Sequence, residues 1–146
     1  MRGWKSQLYE GGIRVPAVAY WPEKIQPTKV KLLTHVTDWM PTICGLVGYE
    51  EKHDLKWDGI DIWPLITNKR EFDNKRILYC KGVNGTYAAL HQWPWKLIVG
   101  KGREELFDLS KDPNEKNDLA KKERKVVSSL RKLLDIEAAR DNDKLP

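Results

Sequence analysis

Residues 76–109 are cut into short β-prone stretches by turn signals, and an unbroken helical stripe follows. Residues 76–81, 86–90, 95–99 and 105–109 read as strands, rich in β-branched, aromatic and aliphatic side chains. Asn84-Gly85 is a hairpin signal; Trp93-Pro94, Gly100 to Gly102 and Asp112-Pro113-Asn114 mark the other reversals. Val126, Val127, Leu130, Leu133 and Leu134 recur on one face of a 3.6-residue repeat, which predicts an amphipathic helix over residues 121–139. Antiparallel strands packed by one such helix form a small α+β unit.

The first half is organised differently. Gly11-Gly12 predicts a turn, since paired glycines admit positive φ. Residues 13–21 then form a nearly continuous apolar run, the pattern of a strand covered on both faces in a parallel sheet, with Pro16 at its start or at a bulge. Asp38 is placed to cap a short helix reaching Val47, with Pro41 in its first turn and Gly48 at its end. Asp58-Gly59 makes a turn before the apolar segment ending at Leu65. The expected organisation is an α/β block over residues 1–70 and an α+β block over residues 71–146.

Composition narrows the class. Seven Trp, five Tyr and two Phe in 146 residues are too many large apolar groups for a disordered coil. No stretch approaches the ~18–20 apolar residues of a membrane span. Arg2, Lys5, Glu10 and Arg14 interrupt the first 20 residues, so no secretory h-region is expected there. The net charge of +5 favours anionic partners. On the C-terminal helix, however, lysines interleave with Glu123, Asp135 and Glu137, which argues for a solvated face rather than a nucleic-acid surface. The two cysteines, Cys44 and Cys80, allow at most one disulfide and match no metal spacing; two buried thiols are the simplest reading. Among the histidines, His35 suits a cap or the surface, and His53 lies in a charged run. His91 neighbours Trp93 and Trp95. No metal site is expected.

Two segments say more. Arg2-Gly3-Trp4-Lys5 leading into Glu10-Gly11-Gly12-Ile13-Arg14-Val15-Pro16 resembles the R-G-x-K-x-x-x-x-E-G-G-x-R-V-P stretch of the sulfatase family, the arylsulfatase-like enzymes of the alkaline phosphatase superfamily. Trp95-Lys96-Leu97-Ile98, Glu105-Leu106-Phe107-Asp108-Leu109, Asp112-Pro113-Asn114-Glu115 and Asn117-Asp118-Leu119-Ala120 resemble the end of the same family. Between them, Asp38-Trp39-Met40-Pro41-Thr42 is similar to its D-x-x-P-T helix, and Asp58-Gly59-Ile60-Asp61 with Pro64-Leu65 to its D-G-x-D-x-x-P-L segment.

The resemblance implies the C-terminal part of a sulfuric ester hydrolase: the end of the α/β core, then a small antiparallel sheet with its helix. Lys5 corresponds to the family's sulfate-contacting lysine and is the catalytic and substrate-binding candidate. Glu10, Gly11, Gly12 and Arg14 are scaffold candidates; Glu10 and Arg14, four apart, either pair with each other or anchor the loop carrying Lys5. His91 is a second substrate-contact candidate. Formylglycine and Ca2+ are implied for complete relatives. Yet neither cysteine stands in a C/S-x-P-S/A-x-R motif, and the calcium ligands precede this stretch in the family's order. The expectation is therefore a portion without nucleophile or metal, acting with upstream sulfatase sequence on a sulfate ester or sulfated glycan. Complete relatives are usually exported. The alternative is a non-catalytic module holding a sulfated glycan or other polyanion through charge and the Trp93 and Trp95 rings.

Overall fold

The computed structural model describes residues 1–29, 33–50, 56–67, 75–83 and 85–141; His53 and Asn84 lie outside them. The chain divides into two compact units, Met1–Pro16 with Asn74–Leu145, and Ala17–Asp73. Residues 1–16, which the sequence places with the first block, therefore pack with the C-terminal sheet.

That sheet has four antiparallel strands in chain order: β1 (Ile77–Lys81), β2 (Tyr87–Gln92), β3 (Trp95–Gly100) and β4 (Arg103–Asp108). Its register pairs Leu90 with Leu97, His91 with Lys96, and Leu97 with Leu106. Successive side chains point to opposite faces of a strand, so each strand feeds two cores. One core holds Leu90, Leu97 and Leu106 against Val127, Leu130 and Leu134 of the C-terminal helix, Arg124–Arg140. The other holds Ala89, Ile98, Phe107 and Leu109 with Leu8 of the N-terminal segment. Coverage on both faces explains why β3 is nearly continuously apolar, although the sheet is antiparallel.

The expected strand at 13–21 is absent. Glu10–Ile13 forms one turn of helix, α1, and no regular structure follows through Trp21. Val15, Val18 and Tyr20 are largely exposed. A strand needs a neighbour to take its backbone hydrogen bonds, and none of the described strands pairs with this run. Apolar content alone cannot supply that partner.

In the other unit, a 3-10 turn (Val36–Asp38) leads into α2 (Trp39–Leu46), and α3 (Trp63–Ile66) follows. In chain order the C-terminal helix is thus α4. Asp38 does not cap α2 through its side chain. It accepts instead from the backbone N–H groups of His35 (2.7 Å) and Ile60 (3.1 Å). The Thr42 hydroxyl donates to the Asp38 carbonyl (2.6 Å) and accepts from the Ile62 N–H (2.9 Å). The D-x-x-P-T helix is thereby stapled to the D-G-x-D segment. His35 caps the 3-10 turn, and Asp61 accepts from the Trp63 N–H at 2.8 Å.

Candidate functional site

Lys5 sits in a tight turn at the tip of a loop whose ends are joined. The Gly11 N–H donates to the Arg2 carbonyl at 2.7 Å, and the Gln7 N–H to the Trp4 carbonyl at 3.0 Å. Gly3 at φ +87° and Ser6 at φ +75° shape the turn. A Cβ on Gly12 would lie 2.2 Å from the Gln7 carbonyl oxygen, so only glycine fits where α1 passes under the loop. Lys5 is exposed, and among the described residues no carboxylate pairs with it.

Beneath the loop lies a buried ionic cluster. Lys96 of β3 is fully buried, and its Nζ is 2.8 Å from Glu10 Oε1 and 2.8 Å from Glu115 Oε1. Glu115 is also fully buried, and its Oε2 accepts from the Glu10 N–H at 2.6 Å. A buried charge persists only when paired and hydrogen-bonded. Here one ammonium serves two carboxylates drawn from two distant motifs.

Arg2 clamps the other end of the loop. Its guanidinium donates to the Glu115 carbonyl (3.1 Å), the Tyr9 hydroxyl (2.9 Å) and Glu105 (3.2 Å), and lies 3.9 Å from the centre of the Tyr9 ring. The Tyr9 hydroxyl donates to Glu105 in turn. Burial and the adjacent Glu105 carboxylate push the Tyr9 phenol up to about 12, so it stays a donor. Glu10 and Arg14 stand 3.8 Å apart at a 57% exposed guanidinium, whereas Glu10 meets Lys96 in the interior. Of the two alternatives for Glu10, loop anchoring describes its dominant contact.

His91 pairs with Lys96 across β2 and β3, which turns its ring to the face that carries Glu10 and Lys96. Burial is the main cause that lowers it to about 4; Lys96 and Arg14 add to the fall, and Glu10 opposes it. Nε2 is buried without a hydrogen-bond partner, and the ring lies 6.5 Å from that of Trp93. A ring held neutral is a weak contact for a sulfate. Trp95 packs against the α4 core and only Trp93 is exposed, so the two do not form a joint stacking platform.

Cys44 and Cys80 are both free and half-buried, and burial raises the Cys80 thiol. Among the described residues, no three His, Cys, Asp or Glu side chains converge as a metal ion would require. These residues do not fit a calcium site. No described helix is long and apolar enough to cross a membrane.

A family model described as the C-terminal part of N-sulphoglucosamine sulphohydrolase matches residues 3–140, which takes in residues of both units and all the motifs above except Arg2. The chain belongs to the sulfatase family. It is 29% identical to an N-acetylgalactosamine-6-O-sulfatase of Bacteroides thetaiotaomicron over 92% of this chain and 29% of that protein. Human steryl-sulfatase is 28% identical over 99% of this chain and 30% of that protein. A solved sulfatase structure described under metabolism of multiple glycosaminoglycans by Bacteroides thetaiotaomicron superposes with a TM-score of 0.85 at 27% identity, over 95% of this chain and 32% of that one. The chain thus spans just under a third of these sulfatases. Its sheet, helices and N-terminal loop correspond to the C-terminal part of their alkaline phosphatase-like fold.

The sequence motifs contained Lys96, Glu115, Arg2 and Glu105 without marking them as a cluster. A signal was present: Lys96 is the one charged residue inside the apolar run from Trp95 to Val99.

Proposed function

We propose that this sulfatase portion serves sulfuric ester hydrolysis by presenting the Lys5 ammonium to the sulfate group of the ester, within a complete and exported enzyme. The observation that carries this reading is the loop's construction. Its two ends are bonded to each other and fixed to the sheet by buried ion pairs, while the single cation at its tip is left unpaired. A sulfate ester carries delocalised negative charge, and cleavage moves charge toward the leaving oxygen. A pre-positioned cation aids the rate to the extent that it favours the transition state over the bound ester. The calcium ion and formylglycine of complete relatives belong to sequence outside these 146 residues, and Lys5 would act beside them. Among the relatives, the N-acetylgalactosamine-6-O-sulfatase and the structure described under glycosaminoglycan metabolism support sulfated sugars as the substrate class.

The test has two arms. The purified 146-residue chain is expected to show no aryl sulfate hydrolysis above a Lys5→Ala control. In a complete polypeptide carrying both this segment and the C/S-x-P-x-R motif, Lys5→Ala lowers kcat/KM by about 100- to 1000-fold, the range for losing one preorganised donor. An unchanged kcat/KM in the second arm removes Lys5 from the reaction.

A further inference from the structure

The chain's charge is not spread evenly. A groove of about 780 Å³ runs between the β3–β4 turn and α4, and all its lining residues lie in 99–132. Six of its residues are cations: Lys101 on the turn, Arg103 at the start of β4, Lys121 before the helix, and Arg124, Arg131 and Lys132 on α4. Glu104 is its one acid. The whole sequence has 26 Lys and Arg against 21 Asp and Glu, so the groove holds the entire excess of five and leaves twenty of each sign elsewhere.

Some of these cations are already engaged. Arg131 pairs with Glu104 (3.1 Å) and Asp135 (2.9 Å), Arg103 pairs with Glu105 (3.0 Å), and Lys101 lies 5.9 Å from the Tyr87 ring centre. Lys121, Arg124 and Lys132 are exposed, and among the described residues none has a carboxylate partner. Like charges gathered along a groove repel one another and focus a positive potential there. Arg124 also opens α4, the end of a helix where a cation is disfavoured. Folding alone gives no reason for this arrangement.

We infer that the groove between the β3–β4 turn and α4 binds a run of sulfate groups on a polysaccharide chain, as a site separate from the Lys5 loop. The cations lie on three successive pieces of chain, which suits an extended polyanion better than a single small anion. No aromatic residue lines the groove. That disfavours single-stranded nucleic acid, whose sequence-tolerant binding relies on bases stacked on aromatic rings. This site stands apart from the Lys5 reading, because its readout is binding by groove variants whereas the Lys5 test reads turnover.

The probe is a size-defined heparin oligosaccharide, titrated against the 146-residue chain at several salt concentrations. Arg124→Glu with Lys132→Glu is expected to weaken binding about tenfold or more. It should also flatten the log–log salt dependence by about one unit per removed cation, as release of condensed counterions predicts. Lys24→Glu with Lys125→Glu removes the same charge outside the groove and is expected to cost less than about threefold, the residue of long-range steering. Glutamine versions of the groove pair, which create no new charge, are expected to fall between the two. Circular dichroism checks that α4 is intact in each variant. Equal losses from the groove and control pairs would show diffuse charge and overturn the site. Tighter binding of duplex DNA of equal charge at the same salt would overturn the glycan assignment.

Discussion

Lys96→Met is expected to destabilise the C-terminal unit by about 3–5 kcal/mol, the range for breaking a buried ion pair by removing one partner. For a unit of this size that lowers Tm by at least about 12 °C. Methionine nearly matches the lysine in length, so little of the loss comes from a cavity. It comes from Glu10 and Glu115, two buried carboxylates left side by side with no ammonium between them. Buried polar groups fail chiefly when half of a network is removed. Adding Glu10→Gln and Glu115→Gln to Lys96→Met therefore recovers most of the stability, although it removes two more charges. Denaturant unfolding of the single and triple variants reads both numbers. A single variant within about 1 kcal/mol of the parent would mean that the cluster is hydrated rather than sealed.

The second large effect is a pH dependence centred on His91. Its folded value of about 4 lies below the 6.5 of a free imidazole, mainly through burial. Between these two values the unfolded chain binds a proton that the folded chain does not, so stability rises with pH across the window. The contribution is complete above about pH 6.5 and is lost as pH falls toward 4, amounting to about 3 kcal/mol at the acid end. His91→Leu removes this titration and suits the buried Nε2, which has no partner to lose. The comparison of parent and His91→Leu subtracts the carboxylates that titrate in both. If the difference between the two stays flat from pH 7 to pH 4, His91 is protonated within the fold.

How far the sequence went depended on where the partners of each segment lie. The four strands and α4 were legible because their signals are local: turn residues, alternation and a helical stripe within 65 residues of one another. The run at 13–21 was misread because an apolar stretch reports the wish to be covered, not the presence of a cover. Asp38 was misread for a related reason. Its position before a helix suggests a cap, but its carboxylate serves the N–H of Ile60, 22 residues on. The motif residues near Lys5 were legible as a set, and their geometry was not. That Lys96 neutralises Glu10 across 86 residues follows only from the strand register and the covering loop. The lysine in an otherwise apolar strand was the available clue, and it gains meaning once both faces of the sheet are known to be covered.

Because residues 1–16 form a layer of the same unit as 74–145, the covalent path between them through 17–73 is not what holds that layer in place. A nick anywhere in 17–73 would leave two peptides whose association rests on Leu8, Arg2 and the Glu10 carboxylate. Such a cleaved chain should copurify as one species in native buffer and come apart in denaturant. Expressed without its first sixteen residues, the remainder would instead expose Phe107 and the Lys96–Glu115 ion pair, and would be recovered chiefly as aggregate.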